Sequence, residues 1–319
     1  MEQRALGRSG LTASAVTLGT MNFGCDWHGV GAIDDATASS LVDLALERGV
    51  TVLDTADVYG RGAAEEMLGR VLGPRRQRVL LATKVLGRMR PDDASTGGLS
   101  ARWIAAAAEG SLKRLRTDRI DLYMPHGWDP AVPLEESLEA FDRLVKAGKV
   151  RVLGCSNFSG PQLASALGAA KRAGSARFEF DQVQYSLAAR FCEEDLVPVA
   201  AREGVSLLSW SPLAGGFLTG KYRPGVPRPS GRRRVPGAAF PAVPEERLEG
   251  VLRVLDAVAR LEGLTPAQTA LGWVLGRPGV ASAVVGARTR AQLEETLGAR
   301  PLSAKGAAVL EQASRLCAS

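Results

Sequence analysis

The chain has 319 residues, of which 45% are hydrophobic and 23% are charged. These proportions exclude wholesale disorder, and the length fits either two average domains or one large α/β barrel. The formal net charge is +6, and the basic runs at residues 75–78 and 232–234 contain no interleaved aromatic side chains, so we do not expect a nucleic-acid partner.

Membrane, secretory and metal-site signals are missing from the sequence pattern. The uncharged stretch at residues 204–220 is broken by a proline and two glycines, so it does not predict a membrane span. The first residues lack the apolar core of a secretory signal. The four cysteines have no CxxC spacing, which argues against a zinc site or a disulfide framework. We therefore expect a cytoplasmic protein with no metal site and no membrane partner.

Strand-like and helix-like patterns alternate along the chain. Short β-branched or leucine-rich runs predict eight strands, at residues 16–18, 51–54, 79–83, 120–124, 150–155, 181–185, 205–209 and 281–285. The segments between them have helical period, and capping-box spacing at residues 265–268 and 289–292 marks two helix starts. Eight such units predict an α/β fold, the (β/α)8 barrel, with a final helix from residue 303 onward.

An open doubly wound sheet is the alternative architecture. It would normally carry GxGxxG after the first strand, and residues 17–24 do not fit that pattern. We therefore predict one barrel domain over residues 1–319. The Pro-, Gly- and Arg-rich residues 222–244 are expected to form a long loop on its active face.

Acid–base groups stand at or just after the ends of successive predicted strands. Asp54 ends the second strand with Tyr59 shortly after it, Lys84 ends the third, and His126 follows the fourth. In a barrel these positions meet at one mouth. Such a set suits carbonyl reduction, because the charge that develops on the carbonyl oxygen must be stabilised and protonated. Lys84 would lower the pKa of Tyr59, Asp54 would hold Lys84, and His126 would bind the substrate oxygen.

Each of these residues also has a structural explanation when it is taken alone, and two other enzyme classes are alternatives. A Schiff-base aldolase would use Lys84 as nucleophile, but a neighbouring Asp54 would raise the pKa that this chemistry needs to be low. Residues 215–221 match the first part of a P-loop, but Tyr222 stands where a magnesium-binding Ser or Thr is required. Convergence of all four groups favours the reductive interpretation.

From about residue 6 to residue 299 the chain resembles the aldo-keto reductase superfamily. The motifs that carry the resemblance are LGTM at 18–21, DTADVYG at 54–60, TK at 83–84, DLY at 121–123 with His126, GCSNF at 154–158, WSPLAGG at 210–216, GAR at 286–288 and QLEE at 292–295. The resemblance implies a (β/α)8 TIM barrel with an N-terminal β-hairpin and a C-terminal extra helix. It also implies a catalytic tetrad of Asp54, Tyr59, Lys84 and His126, with Tyr59 as proton donor.

NADPH, bound without a Rossmann fold, is the cofactor that the resemblance implies. Ser156, Asn157 and Gln182 would hold the nicotinamide amide group, and Trp210 would stack on its ring. The other implied cofactor contacts are Gly19, Thr20, Met21, Asp54, Ser211, Pro212, Leu213, Ala214, Gly215, Lys221, Gly286, Arg288, Gln292 and Glu295. Thr296 stands where many relatives have Asn, and residues 286–288 replace a lysine-bearing loop, so Arg288 either binds the 2′-phosphate or is simply solvated. Use of NADH therefore stays open.

The expected reaction is NADPH-dependent reduction of an aldehyde or ketone. Trp27 and His28 after the first strand and Trp128 after the fourth are predicted to line the substrate pocket, which would suit an aryl or alicyclic carbonyl. A keto-sugar reductase is an alternative. The motifs also resemble voltage-gated potassium channel β subunits, in which the cofactor site can serve sensing, although His126 favours catalysis. The oligomeric state is not predicted.

Overall fold

In the computed structural model, which describes residues 1–222 and 245–318, eight parallel strands close into a barrel. The strands are β1 (Gln3–Ala5), β2 (Thr12–Ser14), β3 (Val16–Gly19), β4 (Val52–Asp54), β5 (Leu80–Val85), β6 (Ile120–Pro125), β7 (Val150–Ser156), β8 (Phe178–Gln184), β9 (Ser206–Trp210) and β10 (Val280–Val285). The barrel order is β10-β3-β4-β5-β6-β7-β8-β9. The predicted (β/α)8 barrel is therefore confirmed, and the open doubly wound sheet is excluded.

Helices form the outer layer of the barrel. They are α1 (Asp35–Glu47), α2 (Ala63–Leu72), α3 (Ala101–Arg114), α4 (Leu134–Lys146), α5 (Gly160–Ala173), α6 (Leu196–Glu203), α7 (Glu245–Glu262), α8 (Pro266–Leu275), α9 (Arg290–Leu297) and α10 (Ala304–Ala318). The capping box predicted at Thr265 and Gln268 is present. At α9 only half of the predicted box forms, because the Gln292 side chain accepts from the Arg288 N–H at 2.9 Å. No helix in the described ranges is long and apolar enough to cross a membrane.

The N-terminal hairpin of β1 and β2 pairs Gln3 with Ser14 and delivers Leu6 to the barrel interior. Leu6 is fully buried in a cluster with Leu122, Met124 and Phe180. The hairpin therefore plugs the N-terminal end of the barrel and leaves the opposite end as the mouth. Of the loop predicted at residues 222–244, only Tyr222 lies within the described residues.

Asp121, the second residue of β6, anchors the N-terminal end of the barrel wall. It is fully buried, and its carboxylate lies 2.8 Å from Arg76 and 2.9 Å from Arg151 and accepts from the Leu81 N–H at 3.0 Å. Burial raises its pKa, but the Leu81 N–H and the two guanidinium groups outweigh burial and hold the pKa below its ordinary value. The carboxylate is therefore a structural anion.

Asp121→Ala is expected to lower the free energy of unfolding by about 3–5 kcal/mol, because it leaves the buried Arg76 guanidinium without its carboxylate counter-ion. Urea denaturation would measure the loss. The matched control is Glu139→Ala, which removes an exposed i,i+4 pair with Arg143 and should cost less than about 0.5 kcal/mol. Equal losses in the two variants would contradict the anchoring role.

Candidate active site

A cavity of about 780 Å³ opens at the C-terminal ends of the barrel strands. Asp54, Tyr59 and His126 line it, and so do all of the predicted cofactor residues except Ala214. Trp27 and His28 also line the cavity, with their rings packed edge-on at 5.0 Å between centroids. The structure therefore brings together, at one mouth, side chains from strands that are far apart in sequence.

The four predicted catalytic side chains form one contiguous group. Lys84 Nζ lies 2.7 and 2.8 Å from the two carboxylate oxygens of Asp54 and donates to the Thr55 carbonyl at 2.8 Å. The same ammonium lies 5.2 Å from the centroid of the Tyr59 ring. Tyr59 and His126 pack edge-on with their centroids 5.7 Å apart. Lys84 itself is 1% exposed and reaches the cavity only through its neighbours.

Lys84 remains a cation in this environment. Burial lowers its pKa, but the attraction of Asp54 and Tyr59 outweighs burial and raises the pKa above its ordinary value. A Schiff-base nucleophile must be a neutral amine, so the charge on Lys84 disfavours the aldolase alternative.

Tyr59 differs from the expectation in one respect. Burial raises its pKa, and Lys84 only partly offsets that effect, so the net shift is upward rather than downward. The phenol is therefore protonated at neutral pH, as a proton donor must be. The sequence pattern gave the Lys84 contribution but contained no measure of the burial that opposes it.

The turn that carries Tyr59 is held in a constrained backbone conformation. Gly60, Arg61 and Gly62 all have positive φ, at 56°, 54° and 98°. A Cβ atom on Gly60 would lie 2.5 Å from the Cβ of Cys25. Only glycine fits at Gly60, because the position combines a left-handed backbone with a close approach.

His126 is neutral at physiological pH. Burial and the nearby Lys84 charge lower its pKa to about 3. Its imidazole can therefore donate a hydrogen bond to a substrate oxygen without adding a second positive charge.

The depressed pKa of His126 predicts a pH-dependent stability. As pH falls below about 6.5 the unfolded chain binds this proton and the folded chain does not, so stability is lost toward about pH 3. His126→Gln should remove that loss, so that between neutral pH and about pH 5.5 its free energy of unfolding falls by about 1 kcal/mol less than that of wild type. Urea denaturation of both proteins measures the difference. Burial raises the pKa of Asp181 to about 7, which gives an opposite pH dependence, but this effect is present in both proteins and cancels in the comparison. Parallel pH profiles would contradict the prediction.

Ser156, Asn157, Gln182 and Trp210 form a hydrogen-bonded group beside the tetrad. The Trp210 Nε1–H donates to Asn157 Oδ1 at 2.8 Å, and Asn157 Nδ2 donates to the His126 carbonyl at 3.0 Å and to Ser156 Oγ at 2.9 Å. The Ser156 hydroxyl donates to the Gln182 carbonyl at 2.7 Å. Ser156 and Asn157 do not cap the following helix, because Ser159 and Gln162 form the capping box of α5.

The far end of the cavity is basic and rich in glycine. Lys221 lies directly against Gly216: a Cβ atom added to Gly216 would lie 2.6 Å from Lys221 Nζ. Arg288 lies half-buried after β10, and no carboxylate of residues 1–222 or 249–315, the ranges whose side chains the structure describes, forms an ion pair with it. Two basic side chains beside small residues make this end suitable for phosphate groups.

One predicted site residue lies elsewhere, and another is at the mouth but does not line the cavity. Trp128 does not line the cavity; it packs edge-on against Phe158, at 5.3 Å between centroids, beside the outer core under α4. Ala214 lies between two lining residues, but it is 1% exposed and its methyl group packs into the core. The prediction of Trp128 in the substrate pocket is therefore not supported by its placement.

Other lining residues were not predicted. Val30, Val58 and Ala267 are apolar and carry no chemical signal in the sequence. Asn22 also lines the cavity, and its amide donates to the Ala287 carbonyl at 3.0 Å, which ties the loop after β3 to the loop after β10. The only sequence signal for Asn22 was that a polar residue directly follows the LGTM motif.

Left-handed backbone is concentrated around the mouth. Among the described residues, six that are not glycine have positive φ, and the five at the mouth are His28, Arg61, Asn157, Ser211 and Ala214. Such conformations are unfavourable for residues with a Cβ and persist only where surrounding contacts impose them. The mouth is therefore held in its shape by the rest of the barrel.

Residues 15–315 match the model of the aldo/keto reductase family. The chain is 38% identical over 313 residues to the uncharacterized oxidoreductase YrpG of Bacillus subtilis, covering 95% of this chain and 92% of that protein. It is 34% identical over 308 residues to a probable voltage-gated potassium channel subunit beta of Arabidopsis thaliana, covering 94% and 91% of the two chains. It is 34% identical over 297 residues to the aldo-keto reductase YhdN of Bacillus subtilis, covering 92% and 87%.

Proposed function

Because this chain belongs to the aldo/keto reductase family, whose members are oxidoreductases that act on carbonyl compounds, we propose that it reduces an aldehyde or ketone to an alcohol with NADPH and with Tyr59 as proton donor. The observation that carries the proposal is the assembled tetrad at the edge of a large cavity: a buried Lys84–Asp54 pair 5.2 Å from the Tyr59 ring, with His126 alongside. Packing alone does not require these four groups at one place.

The cavity is large enough for NADPH, and its polar and basic lining residues follow the order of the nicotinamide and phosphate groups of that cofactor. Trp210 offers an aromatic face near the tetrad, and Ser156, Asn157 and Gln182 surround it with amide and hydroxyl groups. Lys221 above Gly216, together with Arg288, supplies cations for the pyrophosphate and the 2′-phosphate. When bound, NADPH supplies the hydride that reduces the carbonyl carbon.

The chain's own groups complete the reaction at the oxygen. His126 donates a hydrogen bond to the carbonyl oxygen and orients it, and Tyr59 transfers its phenolic proton as negative charge develops there. Lys84 stabilises the tyrosinate that remains, because its ammonium is held beside the ring by two bonds to Asp54.

We propose that the substrate carries an aryl or alicyclic group. Trp27, His28 and Val58 give the carbonyl end of the cavity an aromatic and apolar wall. That wall offers few groups that could hydrogen-bond the several hydroxyls of a keto-sugar. Turnover measured over a panel of aromatic aldehydes, cyclic ketones and keto-sugars decides between these classes.

Arg288→Leu tests the cofactor directly. If Arg288 binds the 2′-phosphate, the Kd for NADPH should rise about tenfold or more and that for NADH should change by less than about twofold. Nucleotide fluorescence titration measures both constants. Arg290→Leu is the matched control, because Arg290 stands two residues further on, at the start of α9, but pairs with Glu47 at 3.1 Å. Equal losses of NADPH and NADH affinity would argue for a solvated Arg288.

A cofactor-sensing protein is the second candidate, since the chain is 34% identical to a probable potassium channel β subunit. The presence of His126 in the tetrad favours catalysis over sensing. Steady oxidation of NADPH in the presence of an aldehyde would support the enzyme, and tight NADPH binding without turnover on any carbonyl would support the sensor.

We also propose a cytoplasmic location. Cys25, Cys155 and Cys192 are unpaired thiols, as is usual in a reducing compartment. Fractionation of the source cells would test the location.

A further inference from the structure

The geometry points to a second task for Gln182: it is a positioning residue for the catalytic charge pair, and it links the amide end of the cofactor site to Asp54. This inference rests on the proposed function for its effect on turnover. Its structural half concerns the protein alone and can be tested without any nucleotide.

Gln182 reaches Asp54 across the barrel. It lies on β8, and β4, which carries Asp54, is diametrically opposite in the closed order of eight strands. The Gln182 Nε2–H donates to Asp54 Oδ1 at 2.8 Å. Both side chains are almost fully buried, at 2% and 3% exposure. A hydrogen bond from a neutral donor to a buried carboxylate is stronger than an exposed one, and its loss leaves an oxygen undersatisfied.

The bond from Gln182 completes the set of hydrogen bonds that the Asp54 carboxylate accepts. Oδ1 accepts from Lys84 at 2.8 Å and from Gln182, and Oδ2 accepts from Lys84 at 2.7 Å. Without Gln182, Lys84 would be the only side chain among the described residues that donates to this carboxylate, so the ammonium alone would limit rotation of the carboxylate about its Cβ–Cγ bond. Because the position of Lys84 depends on Asp54, the placement of the cation beside Tyr59 also depends on Gln182.

Asp54 also fixes which way the Gln182 amide faces. A carboxylate only accepts hydrogen bonds, so Nε2 must point toward Asp54 and Oε1 must point away from it. The backbone of Gln182 is held as well, since its carbonyl accepts from the Asn157 N–H at 3.1 Å and from the Ser156 hydroxyl at 2.7 Å. Gln182 lines the cavity, so one side chain contacts the catalytic pair at one end and the cofactor site at the other.

Gln182→Met, which keeps the length of the side chain and removes the donor, tests the structural half in nucleotide-free protein. Its urea midpoint should fall in the wild-type background. In a variant that carries Asp54→Leu and Lys84→Met the same change should leave the midpoint equal or higher, because no carboxylate is left to satisfy. Equal decreases in both backgrounds would overturn the proposal.

Turnover at saturating NADPH tests the functional half. Gln182→Met should lower kcat about tenfold, whereas a residue that only binds cofactor would raise KM and leave kcat unchanged. Ser282→Ala is the matched control, because it removes another buried barrel hydrogen bond, to Thr17 at 2.7 Å, away from the tetrad. Its kcat should equal that of wild type.

Gln182→Glu supplies a readout that a structural role would not produce. A protonated glutamic acid has the shape of glutamine and can donate to Asp54, whereas the ionised form repels it. Activity of this variant should therefore fall as pH rises through the range where the new carboxyl ionises, and wild type should show no such fall. A pH profile identical to that of wild type would overturn the proposal. Absence of turnover in wild type would defeat the proposed function but not the nucleotide-free result.

Discussion

Tyr59→Phe is expected to lower kcat by about 10²–10⁴-fold, which is the range lost when a general acid is removed. The Kd for NADPH should change by less than about twofold, because the ring and its packing against His126 are kept. Only the proton donor beside Lys84 is missing. Stopped-flow turnover with an aldehyde and a fluorescence titration with NADPH measure the two quantities.

Tyr185→Phe is the control for loss of a buried phenol. The Tyr185 hydroxyl donates to Glu193 at 2.7 Å, and the ring packs against Trp273, remote from the tetrad. This variant should lose some stability and retain the wild-type kcat. Wild-type turnover in Tyr59→Phe would show that another group delivers the proton.

Lys84→Met is expected to have the second large effect, on stability as well as on activity. Asp54 would remain almost fully buried without a cation, and breaking such a pair costs about 3–5 kcal/mol. The kcat should fall by at least about 100-fold, because Tyr59 would lose the ammonium that stabilises its deprotonated form. Urea denaturation and turnover under saturating NADPH give both values.

A compensating variant separates the two consequences. Adding Asp54→Leu to Lys84→Met removes the stranded charge, so most of the lost stability should return while kcat stays low. If stability does not recover, the pair's contribution lies in packing rather than charge. If turnover recovers, Lys84 has no part in proton transfer.

The tetrad was predictable because chemistry and topology coincide in the sequence. Asp54 and Lys84 stand at or within one residue of the ends of buried apolar runs, and the barrel rule brings such ends together. The segments between the strands were equally clear, since the Ser159–Gln162 and Thr265–Gln268 boxes mark helix starts locally. Barrel and tetrad therefore required no knowledge of long-range contacts.

The details that the sequence did not predict depend on contacts between distant segments. Trp128 faces Phe158 instead of the cavity, and no local pattern distinguishes an aromatic residue of a loop that lines a pocket from one that packs beneath it. The net pKa shift of Tyr59 depends on burial, which a sequence does not report. The hydrogen bond from Gln182 to Asp54 joins residues 128 positions apart. No local sequence pattern indicates this bond; only the closed barrel shows it.

The left-handed residues around the mouth bear on how this enzyme could be engineered for heat resistance. A library selected for survival at high temperature should collect glycine at Ser211, where φ is 50° and a Cβ costs about 1 kcal/mol or more. That replacement would remove a side chain that lines the cavity and would make its rim more flexible. Thermal tolerance and catalytic speed should therefore trade against each other at this position, whereas substitutions at the plugged end of the barrel could raise one without lowering the other.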